Sequence, residues 1–365
     1  MEINRKKFTY KEGFAFEDGQ NLPSIDLMVD TYGSLNKDRS NAILVCHAFS
    51  GSHHAAGIME GDTKAGWWDD FIGDNKTFDT SKYFIVSINN LGSCFGSSGP
   101  TSINSETDKP YGSNFPNVTV QDWVNSQKLV MEELKIPSWA LVAGGSLGGM
   151  QALQWAVTYP NRIEKAAIIA ATSETSPQNI ALNEVAREMI KRDESFFGGD
   201  YYSEDVIPRK GLKTARMLGH ITYLSESNIS ARFGRKKQSP TSKVDDDVNY
   251  EIENYLRYKG DRFAEMFDAN SYLLMTKAMD EFNLAAQYKG GVLEALKNIT
   301  ARLLIISFDS DWLFPTKHSK HLQEQAMKAG IRSSFIELEG NYGHDSFLYS
   351  SEYYDKSLKN FLEVV

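Results

Sequence analysis

Residues 139–150 read WALVAGGSLGGM, and this stretch decides the fold class of the chain. An apolar run precedes the glycines and a helix-like run follows them, so the glycines lie at a strand-to-helix turn. Gly144 and Gly148 frame Ser146 in the spacing G-x-S-x-G, because a turn this tight excludes bulky neighbours. The pattern predicts that the Ser146 hydroxyl lies at the tip of a sheet, beside the backbone N–H of Leu147. A glycine-rich turn with a solvent-exposed serine is the alternative.

Short apolar runs on both sides of this turn predict further strands. They cover residues 42–49, 83–88, 141–143, 166–171, 303–308 and 334–338. Most are rich in Val, Ile, Leu and Ala without clean alternation, as expected for strands covered on both faces. Helical spacing fills the gaps at residues 120–134, 149–159 and 319–329. This alternation predicts an α/β fold with a doubly wound, mostly parallel sheet.

The stretch from about residue 176 to residue 298 interrupts this alternation. It has no convincing buried strand, and apolar residues recur at helical spacing in segments 180–191, 210–224, 248–258 and 269–281. We predict a helical cap over residues 176–298, inserted above the carboxyl edge of a core formed by residues 1–175 and 299–365. Within the cap, residues 234–247 are polar and charged, which predicts a surface loop.

Composition excludes several classes of protein. The 365 residues carry a net charge of −9 without clustered Lys and Arg, which argues against a nucleic-acid-binding surface. No apolar run approaches the ~20 residues of a membrane span, and no signal-like segment follows Met1, so we predict a cytoplasmic protein without membrane contact. The two cysteines, Cys46 and Cys94, lie in or near apolar runs, which favours buried free thiols over a disulfide.

A nucleophilic serine needs a base and an orienting acid. His344 lies in a glycine-flanked loop after the last predicted strand, at the sheet edge where the turn of Ser146 also lies. The acid should come from the loop after the preceding strand, where periodicity alone does not choose between Asp309 and Asp311. Pro315 ends that loop and begins a helix. The chain order serine, aspartate, histidine is the order expected of α/β-hydrolases.

An oxyanion hole needs two backbone donors. The N–H of Leu147 is one candidate, and the second should come from the loop at residues 47–57, whose small residues allow close approach to a ligand. We predict the N–H of Phe49. Three histidines in this loop raise the question of a metal, but no carboxylate or thiolate lies at ligand spacing beside them. No metal site is therefore predicted.

Several segments resemble the homoserine O-acyltransferases of the α/β-hydrolase superfamily, over nearly the whole chain. They are residues 46–51 (CHAFSG), 66–69 (GWWD), 90–100 (NLGSCFGSSGP), 144–153, 219–223 (GHITY) and 343–345 (GHD). The GSSGP and GHITY runs are not shared by hydrolases at large, which makes the resemblance specific. Phe49 stands where the family usually has Leu, Ser93 replaces a usual Gly, and Ser98 replaces a usual Thr.

The resemblance implies a catalytic triad of Ser146 as nucleophile, Asp311 rather than Asp309 as acid, and His344 as base. It implies a two-step reaction of methionine biosynthesis, in which an acyl group passes from acyl-CoA to the serine and then to the hydroxyl of homoserine. The acyl-CoA is a co-substrate, and no bound cofactor is expected. An α/β-hydrolase fold and a homodimer through the cap helices are implied as well.

The resemblance also implies that two charged residues contact the amino-acid substrate. Arg216 resembles the family's carboxylate clamp, and Asp345 resembles its partner for the substrate ammonium group. A zwitterion needs one cation and one anion held apart, and Arg binds a carboxylate in bidentate fashion. Tyr223, at the end of the GHITY run, is a further predicted substrate contact.

The acyl donor is predicted from Leu313. Much of the cap is similar to family members that use succinyl-CoA, and those members tend to carry an Arg at this position, after the Asp-Trp pair. A neutral residue here leaves the second carboxylate of a succinyl group unpaired, which is costly. We therefore predict acetyl-CoA and a homoserine O-acetyltransferase. A succinyl donor, serine as acceptor and a plain esterase or thioesterase are the alternatives.

Overall fold

The computed structural model describes residues 1–237 and 249–364, and an eight-stranded sheet forms its centre. The strands are β1 (Ile3–Tyr10), β2 (Ile25–Tyr32), β3 (Ala42–Cys46), β4 (Phe84–Ile88), β5 (Leu141–Gly145), β6 (Lys165–Ile169), β7 (Arg302–Phe308) and β8 (Ser333–Leu338). They lie in the order β1-β2-β4-β3-β5-β6-β7-β8. The β1–β2 and β2–β4 pairs are antiparallel, and all other neighbours are parallel. The predicted mostly parallel, doubly wound sheet is confirmed.

Two strands at one edge of the sheet were not predicted. In β1 only Phe8 is buried, and β2 alternates between buried and partly buried residues along much of its length. A search for continuous apolar runs misses such strands, because an antiparallel strand near a sheet edge needs an apolar side chain only at every second position. The central strands β3, β4 and β5 are buried at every residue, as their composition predicts.

Two predicted strands end earlier than their apolar runs. The run at residues 42–49 stops being a strand at Cys46, and the run at 166–171 stops at Ile169. Most of the residues beyond these ends remain buried in the loops that follow the strands, and Ala48 is partly buried. Apolar character therefore marks burial here and does not mark the strand boundary.

Helices cover the sheet and fill the long insertion. In the core they are α1 (Val120–Glu133), α2 (Leu147–Thr158), α10 (Thr316–Lys328) and α11 (Glu352–Glu363). Between β6 and β7 they are α3 (Pro177–Lys191), α4 (Arg209–Tyr223), α5 (Glu226–Phe233), α6 (Glu251–Ala264), α7 (Ala269–Asp280), α8 (Leu284–Gln287) and α9 (Gly291–Leu296). Three two-stranded ribbons are also described: Phe14–Ala15 with Asn21–Leu22, Ile72–Gly73 with Phe78–Asp79, and Ile103–Asn104 with Lys109–Pro110.

The helices between β6 and β7 correspond to the predicted cap, but α6 continues to Ala264, beyond the predicted end at residue 258. Residues 238–247 of the predicted surface loop, and Val248 at the start of the predicted helix, lie outside the described residues. The division of the chain into a core and a cap at residues 176–298 stays a prediction.

The N-terminus of α2 packs very tightly on the neighbouring strand. A Cβ atom added to Gly148 would lie 2.1 Å from the carbonyl oxygen of Cys46. The glycines of the G-x-S-x-G turn are therefore required by backbone contact between α2 and β3, and this contact fixes the position of Ser146.

Both cysteines are free, as predicted; Cys46 is buried and Cys94 is partly buried. Among the described helices, none has both the length and the apolar character needed to cross a bilayer.

Candidate active site

Ser146 occupies a strained backbone position between β5 and α2. Its φ of 58° and ψ of −124° are angles that favour glycine. A residue with a side chain adopts this conformation at a cost of about 1–3 kcal/mol. Backbone hydrogen bonds hold the turn. The Ser146 N–H donates to the carbonyl oxygen of Ile169 (2.9 Å), and the Ser146 carbonyl oxygen accepts from the N–H of Gly149 (2.9 Å). The side chain is only 6% exposed. This is the geometry expected of a nucleophile elbow.

His344 and Asp311 form a buried pair. His344 Nδ1 lies 2.7 Å from Asp311 Oδ2, and because an ionised carboxylate only accepts, Nδ1 donates. The other oxygen of Asp311 accepts from the backbone N–H groups of Leu313 (3.0 Å) and Phe314 (2.8 Å). The Phe314 ring also stacks on the imidazole, with centroids 4.9 Å apart. The carboxylate and the ring are both fixed, which leaves Nε2 as the nitrogen free to exchange a proton.

The charges around this pair shift two pKa values upward. Burial lowers the pKa of His344, but the Asp311 carboxylate outweighs burial and holds that pKa above its ordinary value. The neighbouring Asp345 is raised in pKa to about 6, because burial outweighs the positive charges around it. A histidine that takes up a proton readily next to a paired carboxylate is suited to general-base chemistry.

Asp309, the other candidate acid, forms a structural hydrogen bond. Its Oδ1 accepts from the backbone N–H of Gly340 at 2.8 Å, which ties the ends of β7 and β8 together. The structure therefore brings Asp311, and not Asp309, to His344. The two residues share a face in an extended strand, so only the path of the turn separates their roles.

The loop after β3 is held by a buried histidine. His47 Nδ1 donates to the oxygen of Ala48 (2.8 Å), and the N–H of Gly51 donates to the same oxygen (2.9 Å). In a trans peptide the carbonyl and the N–H point in opposite directions, so this anchoring also fixes the direction of the Phe49 N–H. His47 Nε2 accepts from the N–H of Asn90 at 3.0 Å.

Burial lowers the pKa of His47 to about 4, so the ring is neutral near pH 7. This anchoring role of His47 was not predicted, because its contacts depend on how two loops meet. On the other side of the site, Leu147 begins α2, and its N–H is among the first four that have no acceptor within the helix.

A cavity of about 170 Å³ joins most of the predicted residues. The seven that line it are Phe49, Ser146, Arg216, Tyr223, Leu313, His344 and Asp345. The other two, Asp311 and Leu147, are buried behind this surface. Residues of α3, α4 and α7 also line the cavity, so the helices between β6 and β7 form one of its walls.

Arg216 lies in this wall among aromatic rings. Its guanidinium carbon is 4.7 Å from the centroid of Phe263 and 5.4 Å from that of Tyr223, and Nη1 donates to Ser50 Oγ at 3.2 Å. Within residues 1–237 and 249–364, no carboxylate lies at salt-bridge distance from it. The Asp345 carboxyl group lines the same cavity. The cavity thus carries one cation and one acidic group that are not paired with each other.

The contacts of Ser50 and Phe263 with Arg216 were not predicted. These residues contact Arg216 from the loop after β3 and from α6, two segments far apart in the chain. Ser50 lies in the CHAFSG run, but its contact with Arg216 joins the loop after β3 to α4, and Phe263 reaches Arg216 from α6, so neither contact follows from a local pattern.

Both the sequence and the fold match known proteins. A family model described as the alpha/beta hydrolase fold matches residues 41–351. The homoserine O-succinyltransferases of Halothiobacillus neapolitanus and Hahella chejuensis are 47% and 52% identical to the chain, over 99% and 93% of its length and 90% and 88% of theirs. The chain belongs to the homoserine O-acyltransferase family.

Solved structures agree with this membership. The homoserine O-acetyltransferase from Bacillus anthracis matches with a TM-score of 0.92 and 29% identity, covering 99% of this chain and 98% of that one. A structure named esterase E22 matches with a TM-score of 0.90 and 30% identity, covering 99% of this chain and all of that one. The predicted family and α/β-hydrolase fold are confirmed, and this homoserine O-acyltransferase is an acyltransferase of the methionine pathway.

Proposed function

We propose that this enzyme transfers the acetyl group of acetyl-CoA to the side-chain hydroxyl of L-homoserine, through an acyl-enzyme on Ser146. The observation that carries the proposal is the cavity itself. It joins the strained serine, a histidine paired with a buried aspartate, and an unpaired guanidinium. A simple ester hydrolase needs only the first two of these features, whereas the third provides a partner for a substrate carboxylate such as that of homoserine.

In the first step His344 takes the proton of Ser146, and the serine oxygen attacks the thioester carbon of acetyl-CoA. The oxyanion of the tetrahedral intermediate accepts hydrogen bonds from the N–H groups of Phe49 and Leu147. Each such donor is worth about 2.7–4 kcal/mol of transition-state stabilisation. The carbon–sulfur bond then breaks, the thiol of coenzyme A takes the proton from His344, and the acetyl group stays on Ser146.

In the second step homoserine enters with its carboxylate on Arg216 and its ammonium group on Asp345. Tyr223 lies beside both Arg216 and His344, with its ring centroid 6.4 Å from that of the histidine. His344 takes the proton of the homoserine hydroxyl, whose oxygen attacks the acetyl carbon. Collapse of the intermediate releases O-acetylhomoserine, and the proton returns to Ser146.

Water is the competing acceptor in the second step. The contribution of α3, α4 and α7 to the cavity wall supports a role of the cap in excluding water from the acyl-enzyme. Such exclusion favours transfer over hydrolysis without any change in the triad.

The choice of acetyl-CoA depends on charge. Arg216 is the only Lys or Arg among the described residues that line the cavity, and the proposed reaction uses it for the carboxylate of homoserine. Leu313 offers no second cation for the distal carboxylate of a succinyl group. The succinyl donor is the second candidate, because the relatives from Halothiobacillus neapolitanus and Hahella chejuensis are named homoserine O-succinyltransferases.

Replacing Leu313 by Arg should change the donor preference. A guanidinium in the cavity would pair with the succinyl carboxylate. In Leu313→Arg we therefore expect the ratio of kcat/KM for succinyl-CoA to kcat/KM for acetyl-CoA to rise about 10- to 100-fold over the wild-type ratio. Steady-state assays at saturating homoserine measure this ratio. Leu313→Met is the matched control, because it changes the shape of the side chain without adding charge. An unchanged ratio in the Arg variant would rule out this position as the selector, and a wild-type preference for succinyl-CoA would overturn the acetyl proposal.

The esterase alternative has an observation of its own, the similarity to esterase E22. Thiol release from acetyl-CoA with and without homoserine distinguishes the two activities. Transfer predicts release that rises with homoserine and yields O-acetylhomoserine, whereas release independent of homoserine indicates a hydrolase. Serine in place of homoserine tests the acceptor, since one methylene group is worth only about 1–3 kcal/mol of discrimination.

The pH dependence should differ between the two half-reactions. Asp345, with its pKa of about 6, must be ionised to hold the ammonium group of homoserine, and His344, with its raised pKa, must be neutral to accept a proton. As the pH falls, kcat/KM for homoserine should drop through both protonations, whereas kcat/KM for acetyl-CoA should drop through that of His344 alone.

Asp345→Asn separates the two groups in this experiment. The Asn variant should keep an acid limb for acetyl-CoA, moved to lower pH because Asp345 no longer raises the pKa of His344, and should lose the steeper part of the limb for homoserine. Identical profiles for homoserine in the two proteins would show that Asp345 does not titrate in the reaction.

A homodimer through the cap also remains a proposal. Apolar side chains of α3 and α4 are exposed at Ile180 (38%), Val185 (48%) and Ile221 (45%), which supports an interface at this face. Sedimentation of the purified protein measures the oligomeric state directly, and a monomer at micromolar concentration would contradict the proposal.

A further inference from the structure

A group of cations lies beside the cavity, outside its lining. The guanidinium carbon of Arg232, on α5, is 4.9 Å from the ring centroid of Tyr255. The ammonium nitrogen of Lys259, on α6, is 5.6 Å from the same centroid. Tyr255 lies 5.6 Å from the ring of His220, and His220 lies 6.0 Å from the cavity residue Tyr223. A chain of aromatic contacts therefore leads from the cavity wall to these two cations.

Lys64 adds positive charge near Lys259 from a neighbouring loop. It lies in the loop three residues before Trp67, which lines the cavity, and its side chain is exposed. Burial lowers the pKa of Lys259, and the charges of Lys64, Arg216 and Arg232 lower it further, while the Asp345 carboxyl group acts in the opposite direction. The cations are thus close enough to repel one another.

The described part of the chain provides no ion pair for these cations. Within residues 1–237 and 249–364, Lys64, Arg232 and Lys259 have no carboxylate at salt-bridge distance. His220, between them and the cavity, has its pKa lowered to about 3 by burial and then by the charges of Arg216, Lys259 and Arg232, so it stays neutral. A positive patch of this kind stands out in a protein whose net charge is −9. Such a patch attracts anionic ligands.

The size of the cavity indicates which part of a ligand these cations meet. Pockets that enclose a drug-sized ligand measure roughly 300–1,000 Å³, whereas this cavity measures about 170 Å³. An acyl-CoA that presents its thioester to Ser146 therefore leaves its nucleotide half outside. That half carries several phosphate groups, which Arg and Lys side chains bind through charge-assisted hydrogen bonds.

We propose that Arg232 and Lys259 bind the phosphate groups of the acyl-CoA donor. The inference rests on the proposed function, because it requires an acyl-CoA with its thioester in the cavity. It assigns a role to two residues that take no part in the triad, the oxyanion hole or the homoserine contacts.

Two donors that differ in their phosphates test the site. S-acetyl-N-acetylcysteamine carries the same thioester as acetyl-CoA but has no phosphate group. In Lys259→Gln and Arg232→Gln we expect KM for acetyl-CoA to rise about tenfold with kcat nearly unchanged, and kcat/KM for the cysteamine thioester to stay within twofold of wild type. Lys328→Gln, which removes an exposed lysine of α10, is the control and should change neither donor. Equal changes for both donors, or no change for acetyl-CoA, would overturn the proposal.

A binding measurement keeps this test independent of turnover. Adenosine 3′,5′-bisphosphate reproduces part of the phosphate set of coenzyme A, and calorimetry should give binding to the wild type that weakens about tenfold in Lys259→Gln. Inorganic phosphate in the same experiment should bind much more weakly, which distinguishes a coenzyme site from a general anion site. If both thioesters fail as donors, the proposed function fails, and the calorimetry still decides whether the cations bind these phosphates. Bisphosphate affinity that is equal in wild type and variant would refute the site.

Discussion

Ser146→Ala is expected to lower kcat for acetyl transfer by about 10⁵- to 10⁶-fold, because no other group can carry the acetyl intermediate. Steady-state assays with acetyl-CoA and homoserine measure the loss. Mass spectrometry of the wild type, mixed with acetyl-CoA and quenched in acid, should find one acetyl group on the peptide that contains Ser146. The Ala variant should carry none.

Ser146→Gly is the matched control for this experiment. Glycine removes the hydroxyl and also relieves the strain of a φ of 58°, so we expect the same loss of activity with a gain of about 1 kcal/mol in the free energy of unfolding. A loss of activity in a protein that is more stable than wild type is not explained by misfolding. Normal turnover by either variant, or an acetyl group found elsewhere on the wild type, would refute the acyl-enzyme on Ser146.

Arg216→Met should have the second largest effect, a fall of about 10²- to 10³-fold in kcat/KM for homoserine. Among the described residues that line the cavity, this guanidinium is the only Lys or Arg group available to the substrate carboxylate, and methionine retains much of the packing against Phe263 and Tyr223. The formation of the acyl-enzyme, followed as a burst of thiol release without homoserine, should proceed at nearly the wild-type rate. The two half-reactions thus respond differently to one substitution.

Arg216→Lys keeps the charge but cannot bind a carboxylate in bidentate fashion, so its kcat/KM should lie between those of the Met variant and the wild type. Equal losses in both half-reactions would indicate a structural role. An unchanged kcat/KM for homoserine in the Met variant would show that the carboxylate binds elsewhere.

Much of the fold follows from local patterns. The G-x-S-x-G turn, the buried central strands and the amphipathic helices between β6 and β7 are each required by residues that are close in the chain. The edge strands β1 and β2 are different, because β1 has a single buried residue, β2 alternates between buried and partly buried residues along much of its length, and their pairing partners decide their structure. The sequence therefore predicted the centre of the sheet and missed its antiparallel edge.

The site shows the same division. Ser146 and His344 stand in distinctive local settings, and a resemblance was enough to connect them. Asp309 and Asp311 are equivalent by periodicity, and only the hydrogen bonds made by the turn distinguish them. Arg216 has the local pattern of a solvated helix charge. Its position against Phe263 and Ser50 is set by tertiary packing, which no local pattern contains.

Leu313 takes part in the site in two separable ways. Its backbone N–H donates to Asp311, while its side chain lines the cavity where the acyl group is proposed to lie. Any residue except proline supplies the same N–H, so this position can vary in evolution while the hydrogen bond to Asp311 is kept. If the side chain selects the donor, closely related members of one lineage can change from one acyl-CoA donor to another through a single codon. Overall sequence identity is then a poor guide to which thioester a given member uses.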